Sequence, residues 1–339
     1  MTTPPSAEGA GACAGLAEHP DIDLAGLHGT AAQRAETLRQ IRTAFEDVGY
    51  FYAAHFGPSQ ASVDAVFDQA RRFHSLPDDH KRSALQTTAG SQRGWIPLGT
   101  EPAYEAGTVA RCESFDLAME LPTESSTEFG GLGANLWPAN LPGFQDTVYG
   151  WYLAARAAAR QLFVAFAEMY DLAPTTFADY ESERSSSMMR LLRYPPNQGD
   201  TADNIVGISA HTDYEAFTLM SQTAPGLELL TRSGTWIEPP VLQDRFIVIV
   251  GDMLERLTNG QLRATRHRVI DTDWERLSLI LFNAFDADAV IAPLTEFVTD
   301  ENPVRYAPTT QVAHINAEVS AAVANLESQP GERPHAGST

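Results

Sequence analysis

Cysteines, basic residues and long apolar runs are all scarce in this sequence. The only two cysteines, Cys13 and Cys112, lie outside any CxxC or Cys/His metal spacing, which argues against a disulfide framework and favours a reducing compartment. We interpret both as ordinary free thiols. No stretch reaches membrane-spanning length, and the N-terminus lacks the basic segment and apolar run of a secretory signal. These absences predict a cytoplasmic protein that does not enter a membrane.

Negative charge is in large excess, because 44 acidic residues against 23 basic ones give a formal net charge of −21. Nucleic acids are bound by basic surfaces, so the composition argues against a DNA or RNA partner. A hydrophobic content of 43% is ample for a folded core. Length alone suggests two domains, although large β architectures often run as one. Nothing in the sequence indicates an obligate protein partner.

The first half of the chain is dominated by helical periodicity. Apolar residues recur every three or four positions over 31–48 and 59–76, and an Ala- and aromatic-rich pattern covers 142–172. We expect the last of these helices to brace a sheet from behind. Residues 309–326 are also predicted to be helical. The Pro/Gly-rich tails 1–18 and 329–339 are predicted to be disordered or mobile.

The second half changes character after Ser187. Short apolar runs alternate with turns at 188–194, 227–230, 246–250, 267–270 and 278–285. This pattern is typical of an antiparallel sandwich or barrel. The fold class is therefore predicted to be α+β, with a single domain over 19–328. Within it we expect a mainly helical part over 19–185, a β-core over 186–308 and a C-terminal helix over 309–328.

The residues that carry chemistry lie in the predicted β-core. In His211-Thr212-Asp213, an imidazole and a carboxylate are two positions apart, so an extended backbone projects them from one face. His267, in a distant strand-like segment, is the candidate third ligand. A satisfied histidine beside a capping aspartate explains the first motif alone. The full set instead matches the 2-His-1-carboxylate triad of non-haem Fe(II) oxygenases, which leaves metal positions open.

Arg276-Leu277-Ser278 follows shortly after the second histidine. Arg276 and Ser278 share one strand face, and a guanidinium beside a hydroxyl can hold a carboxylate. A surface ion pair is the alternative for Arg276, but the apolar strand that follows favours a buried role.

Strand alternation also predicts which side chains face a cavity near the metal. One face carries Met188, Arg190, Leu192 and Tyr194, and the other carries Arg276, Ser278, Ile280 and Phe282. We predict substrate contacts from Met188, Arg190 and Phe282. Arg190 is equally compatible with a substrate carboxylate and with a structural ion pair.

The sequence resembles the isopenicillin N synthase-like branch of the Fe(II)/2-oxoglutarate-dependent oxygenases over most of residues 20–320. The matching segments are Asp21-Ile22-Asp23-Leu24, Gly49-Tyr50-Phe51, Arg93-Gly94-Trp95-Ile96-Pro97, Glu113-Ser114-Phe115-Asp116, Arg193-Tyr194-Pro195-Pro196, His211-Thr212-Asp213, Gly251-Asp252-Met253, Thr258-Asn259-Gly260, His267-Arg268-Val269 and Arg276-Leu277-Ser278. The resemblance implies a double-stranded β-helix, or jelly roll, with flanking N-terminal helices and a long bracing helix.

The same resemblance implies the cofactors and the reaction. His211, Asp213 and His267 would bind Fe(II), and Arg276 and Ser278 would bind the distal carboxylate of 2-oxoglutarate. O2 is the second co-substrate. A small-molecule substrate would be hydroxylated, desaturated or cyclised with release of succinate and CO2, in what we take to be bacterial specialised metabolism.

Two further residues take roles from the resemblance. Tyr194 would add a phenol hydrogen bond to 2-oxoglutarate, although a core tyrosine is nearly as compatible with its position. Trp95 lies on the segment that often closes the family's pocket, so it is a candidate substrate contact. Simple packing is the alternative for Trp95.

Two other functions remain open from the sequence. Leu192 stands where many plant members carry asparagine, and Arg193-Tyr194-Pro195 looks more like the microbial β-lactam enzymes. An oxidase or cyclase like isopenicillin N synthase keeps an equivalent Arg-x-Ser without using 2-oxoglutarate. A non-catalytic jelly-roll protein that binds a small molecule is the alternative from another class.

Overall fold

The structure is a computed structural model that describes residues 19–86, 93–101, 104–120, 134–199, 202 and 204–327. Both predicted tails, 1–18 and 329–339, lie outside these residues. The first half contains β1 (Asp21–Asp23), α1 (Ala31–Thr43), β2 (Tyr50–Ala54), α2 (Gln60–His74), α3 (Asp78–Lys81), β3 (Gly94–Ile96), β4 (Val109–Ala110), β5 (Glu113–Ala118) and α4 (Phe144–Glu168).

The second half supplies most of the strands. They are β6 (Met188–Tyr194), β7 (Ile205–Val206), β8 (Ile208–His211), β9 (Phe217–Gln222), β10 (Leu227–Leu230), β11 (Trp236–Ile237), β12 (Arg245–Val250), β13 (His267–Val269), β14 (Arg276–Asn283), β15 (Val290–Ile291) and β16 (Thr309–Thr310). The helices are α5 (Asp252–Leu257) and α6 (Gln311–Glu327).

Two mainly antiparallel sheets form the core, as expected of a jelly roll. The larger has eight strands in the order β1-β2-β12-β9-β14-β6-β5-β3, and the smaller has four in the order β11-β10-β13-β8. Strand β14 is central and pairs with both β6 and β9. The α+β jelly-roll prediction is confirmed.

The first half of the chain contributes more to the sheet than its helical periodicity indicates. Strands β1 and β2 form one edge of the larger sheet, and β5 and β3 form the other. Short strands such as β3 are too brief for a periodic signal, so helical periodicity alone does not reveal them.

Helices α1, α2 and α4 pack against strands of the larger sheet. The apolar face of α4 buries Phe144, Trp151, Tyr152 and Phe163 in the main core, which is the bracing role predicted for this helix. Among the described helices, none is both long and apolar enough to cross a membrane.

Candidate active site

The three candidate metal ligands converge at the mouth between the sheets. His211 ends β8 and His267 begins β13, and these two residues are direct partners in the antiparallel register. Asp213 lies in the connection from β8 to β9. Its Oδ1 lies 3.7 Å from His211 Nε2 and 3.6 Å from His267 Nε2. One ligand atom from each residue therefore lies within 4.8 Å of the others.

Backbone carbonyls fix the orientation of both imidazoles. The Nδ1 of His211 lies 2.9 Å from the carbonyl of Ser209, and that of His267 lies 3.0 Å from the carbonyl of Thr265. Each Nδ1–H can donate to its carbonyl, which leaves the lone pair of Nε2 directed at Asp213. Burial, reinforced by the nearby His267, holds the pKa of His211 well below its ordinary value. His211 is therefore neutral, as metal ligation requires.

The two carboxylate oxygens of Asp213 have different contacts. Its Oδ2 accepts a hydrogen bond from the hydroxyl of Thr218, which leaves Oδ1 facing the two imidazoles. Asp213 is 3% exposed, and this burial raises its pKa. A buried carboxylate is costly unless a cation compensates it, so this arrangement suits a metal ion.

The start of α5 holds the Asp213 loop in place. The backbone N–H of Asp252 donates to the carbonyl of Asp213 at 2.9 Å, and that of Met253 donates to the carbonyl of Glu215 at 3.0 Å. These contacts require Gly251, because a Cβ there would lie 2.4 Å from the carbonyl oxygen of Glu215 and 3.1 Å from that of Asp213. The absence of a side chain at Gly251 thus positions a candidate ligand.

Gly251→Ala is expected to weaken Fe(II) binding about tenfold or more, the usual range for a residue that supports a ligand. The new methyl would displace backbone that has no room to yield. The matched control is Gly150→Ala on α4, where nothing lies within 4 Å of an added Cβ. An anaerobic Fe(II) titration measures both. Equal affinity in the two variants would contradict the role assigned to Gly251.

Arg276 and Ser278 lie on one face of β14, within the same cavity as the triad. They are 2% and 3% exposed. Arg276 Nη2 donates to Gln222 Oε1 at 2.7 Å. Among the described residues, Arg276 Nε, Arg276 Nη1 and Ser278 Oγ have no hydrogen-bond partner. Buried donors rarely remain unpaired in a functional state, so these atoms indicate a missing acceptor.

Tyr194 supports this group from the neighbouring strand. It pairs with Arg276 in the β6–β14 register, and the Arg276 guanidinium carbon lies 4.8 Å from the centre of its ring. Burial lowers the pKa of Arg276, and Tyr194 partly opposes that effect. The guanidinium remains a cation, so the missing acceptor is best matched by an anion.

One cavity brings these groups together. It encloses about 800 Å³ of space, part of which is open solvent at its mouth. The sequence-predicted residues that line it are His211, Asp213, His267, Arg276, Ser278, Tyr194, Arg190, Met188, Phe282, Leu192 and Ile280. Strand alternation correctly predicted which side chains of β6 and β14 face the cavity. These strands are neighbours in the larger sheet, so the two predicted faces are one wall.

Arg190 is in the cavity, but its charge is already matched. Its Nε and Nη2 donate to the two carboxylate oxygens of Asp116 at 2.8 and 2.7 Å, and its Nη1 donates to Glu101 at 2.6 Å. The structural ion pair that the sequence left open is present. With two carboxylates bound, Arg190 is a poor receptor for a third.

Trp95 is not brought to the cavity, and its prediction as a residue over the pocket is corrected. Its side chain is 3% exposed within the main core, and its Nε1 donates to Glu113 at 3.0 Å. The reason is the β3–β5 pairing, which places Trp95 opposite Phe115. The packing alternative describes this residue.

Tyr104 and Glu215 are among the cavity residues that were not predicted from the sequence. The ring of Tyr104 stacks on His211 with centres 4.1 Å apart and planes at 10°. Glu215, two residues after Asp213, lines the same cavity and is 5% exposed. An acidic residue inside the apolar run from Tyr214 to Met220 was the available signal for Glu215. Tyr104 lies in an irregular stretch and offers no such signal.

Comparisons with known proteins agree with this geometry. Residues 20–140 match the family described as non-haem dioxygenase in morphine synthesis N-terminal, and residues 185–284 match the 2OG-Fe(II) oxygenase superfamily. A 2-oxoglutarate-dependent dioxygenase, citB of Monascus ruber, is 30% identical over 76% of this chain and 82% of its own length. A homoarginine-6-hydroxylase of Glycine max is 29% identical over 79% and 83%.

A solved structure extends the likeness to the fold. The crystal structure of a protein from Caulobacter crescentus assigned to the 2OG-Fe(II) oxygenase family aligns with a TM-score of 0.76 at 28% identity. The alignment covers 89% of this chain and 98% of that one. Both the N-terminal and the C-terminal half of this chain therefore align with a protein of the 2OG-Fe(II) oxygenase family.

Proposed function

Because this chain belongs to the 2OG-Fe(II) oxygenase superfamily, we propose that His211, Asp213 and His267 hold its Fe(II) and that Arg276 and Ser278 anchor 2-oxoglutarate. The enzyme is a non-haem iron dioxygenase that oxidises a small molecule with consumption of 2-oxoglutarate and O2. We further propose that residues 19–328 form a single oxygenase domain, with 186–308 as its core.

The residue assignment rests on one observation: the three candidate metal ligands and the unpaired donors of Arg276 and Ser278 lie in the same cavity. Three neutral or anionic ligand atoms converge at one end, and the unpaired donors of Arg276 and Ser278 lie in the same enclosure. A dianionic keto acid complements both groups, since one end can reach the metal while the distal carboxylate meets the guanidinium.

Bound iron would supply the redox centre at which O2 is activated. The protein's own side chains hold the metal and the keto acid and exclude water. Thr218 and the carbonyls of Ser209 and Thr265 keep the three ligands aimed at one point. Arg276 orients the keto acid, and Tyr194 restrains Arg276. Apolar walls such as Met188 and Phe282 shield the reacting atoms from water.

The 2-oxoglutarate-independent alternative receives no support from the relatives, because citB carries 2-oxoglutarate dependence in its name. The relative from Glycine max hydroxylates homoarginine, so small amino-acid-like compounds are reasonable first candidates for the substrate of this enzyme.

The direct test is an anaerobic titration of the metal-free protein with Fe(II) and 2-oxoglutarate, followed by visible absorption. A charge-transfer band that needs both components is expected. Arg276→Met keeps the length of the side chain and removes its donors, so we expect 2-oxoglutarate affinity to fall at least about a hundredfold, as when one partner of a buried charge pair is lost.

The matched control is Arg245→Met on β12, where the arginine pairs with Asp21 at 2.7 Å away from the cavity. This variant is expected to titrate like the parent protein. Iron binding without the band would return the 2-oxoglutarate-free oxidase to consideration. Failure to bind iron would refute the ligand assignment.

A further inference from the structure

His211 is the most exposed of the three candidate metal ligands. Its side chain is 14% exposed, against 7% for His267 and 3% for Asp213. His211 is the last residue of β8, and the pairing of β8 with β13 ends at the same residue. The contact of its Nδ1 with the carbonyl of Ser209 holds only one edge of the ring. The faces of this imidazole must therefore be held by neighbouring side chains.

The ring of Tyr104 covers one face of His211. The two ring centres are 4.1 Å apart and the planes differ by only 10°. The other ring close to His211 is that of His267, which is tilted by 49° with its centre 4.3 Å away. A nearly parallel ring at this distance restricts the rotation of the imidazole and keeps water away from the face that it covers.

The backbone that presents Tyr104 is bonded to the residue that orients His211. We call residues 104–108 the strap. The N–H of Glu105 in the strap donates to the hydroxyl of Ser209 at 3.2 Å. The carbonyl of the same serine lies 2.9 Å from the Nδ1 of His211. Ser209 therefore fixes the strap through its side chain and the imidazole through its backbone.

Further hydrogen bonds hold the strap on the segment that leads into His211. Strand β4, which follows the strap, pairs in parallel with β7, and β7 continues through Gly207 into β8. The side-chain amide of Asn204 donates to the carbonyl of Gly107 at 3.1 Å. Within the strap, the hydroxyl of Thr108 donates to the carbonyl of Glu105 at 2.7 Å. Tyr104 and His211 are thus positioned by one connected piece of structure, although they are far apart in sequence.

We propose that Tyr104 is a positioning residue of the metal site, whose ring keeps the His211 imidazole in its ligating orientation and slows the escape of Fe(II). The inference rests on the proposed function, because it takes His211 as a ligand. An imidazole that is already restrained loses less freedom when the metal binds, so the restraint strengthens binding. The stack is made by the aromatic ring, so the hydroxyl of Tyr104 is not required for this role.

The experiment compares Tyr104→Leu and Tyr104→Phe with the parent protein. Anaerobic competition with a coloured Fe(II) chelator gives the affinity for the metal, and the rate of colour formation from loaded protein gives the rate of iron release. Tyr104→Leu is expected to bind Fe(II) about tenfold more weakly, the scale of a residue that supports a ligand, mainly through faster release. Tyr104→Phe keeps the ring and is expected to behave like the parent.

Tyr180→Leu is the matched control. Tyr180 is also partly exposed and its ring centre lies 5.3 Å from that of Phe285, but it does not belong to the described lining of the cavity. Its loss is expected to leave affinity and release unchanged. Thermal melting of the metal-free proteins shows whether each variant is folded.

Three results would overturn the inference. They are parental affinity and release in Tyr104→Leu, an equal loss in Tyr104→Phe, and a Tyr104→Leu variant that is unfolded without metal, which would make Tyr104 a folding residue. A parent protein that binds no Fe(II) would instead refute the ligand assignment in the proposed function.

Discussion

Asp213→Ala is expected to abolish 2-oxoglutarate turnover, with a loss of at least about a thousandfold, while the protein stays folded. The side chain supplies the only carboxylate among the three converging ligands, and without it two imidazoles hold the metal weakly. Because burial raises the pKa of Asp213, the metal-free parent loses stability by retaining it. We therefore expect the melting temperature of the metal-free variant to equal or exceed that of the parent.

The control is Asp300→Ala, since Asp300 is exposed and lies outside the cavity. Succinate release and thermal melting are measured for both variants. Full turnover in Asp213→Ala would refute the metal site. A variant that is inactive and also unfolded would show that Asp213 is needed for the fold, contrary to its proposed role.

Glu113→Gln is expected to cost about 3–5 kcal/mol of unfolding free energy, the usual effect of breaking a buried ionic cluster. Glu113 is 3% exposed. Its carboxylate lies 2.9 Å from Lys81 Nζ, 3.1 Å from Arg193 Nη1 and 3.0 Å from the donor Nε1 of Trp95. The glutamine amide would remove the buried counter-charge of Lys81, which would keep only the exposed Asp78 at 3.2 Å. Urea unfolding of parent and variant at neutral pH measures the difference.

The same cluster gives stability a defined dependence on pH. Burial alone would raise the pKa of Glu113, but hydrogen bonds and charges from His74 and Lys81 hold it well below the ordinary value of 4.5. A carboxyl group with a lowered pKa stabilises the fold fully above its unfolded pKa and loses that contribution as pH falls below it. The gap between parent and Glu113→Gln should therefore be largest above about pH 5 and shrink in acid.

Glu36→Gln provides the comparison for this prediction. Glu36 forms an exposed pair with Arg39 one helical turn away, and such pairs contribute little. Its unfolding curve should match that of the parent. A Glu113→Gln variant as stable as Glu36→Gln at neutral pH would show that the buried cluster is not a stabilising element.

Local spacing was enough to find His211 and Asp213 and the cavity-facing side chains of β6 and β14. His211 and Asp213 are close in sequence, and the alternation in β6 and β14 is regular. That these two strands pair and form a single wall became visible only in the sheet. The ion-pair partners of Arg190 could not be predicted from local spacing. Its partners Asp116 and Glu101 come from the first half of the chain, and only the β5–β6 pairing brings Asp116 opposite it.

Trp95 was predicted to contact the substrate and does not line the cavity, whereas Glu215 was not predicted and does line it. Trp95 carries a family-like motif but turns into the core, because its strand register is set by β5. Glu215 belongs to no motif in the sequence, and its segment of backbone is held by hydrogen bonds from α5 and to β14. The positions of Trp95 and Glu215 depend on strand pairing between distant segments, so they could not be predicted from neighbouring residues.

The two ends of the proposed co-substrate site belong to different sheets. His211 and His267 lie in the four-stranded sheet, whereas Arg276 and Ser278 lie at the centre of the eight-stranded one. A keto acid held at both ends would join the sheets non-covalently, so its binding free energy would add to the free energy of folding. The amount of folded enzyme in a cell would then depend on the supply of a central metabolite, even when no substrate is being oxidised.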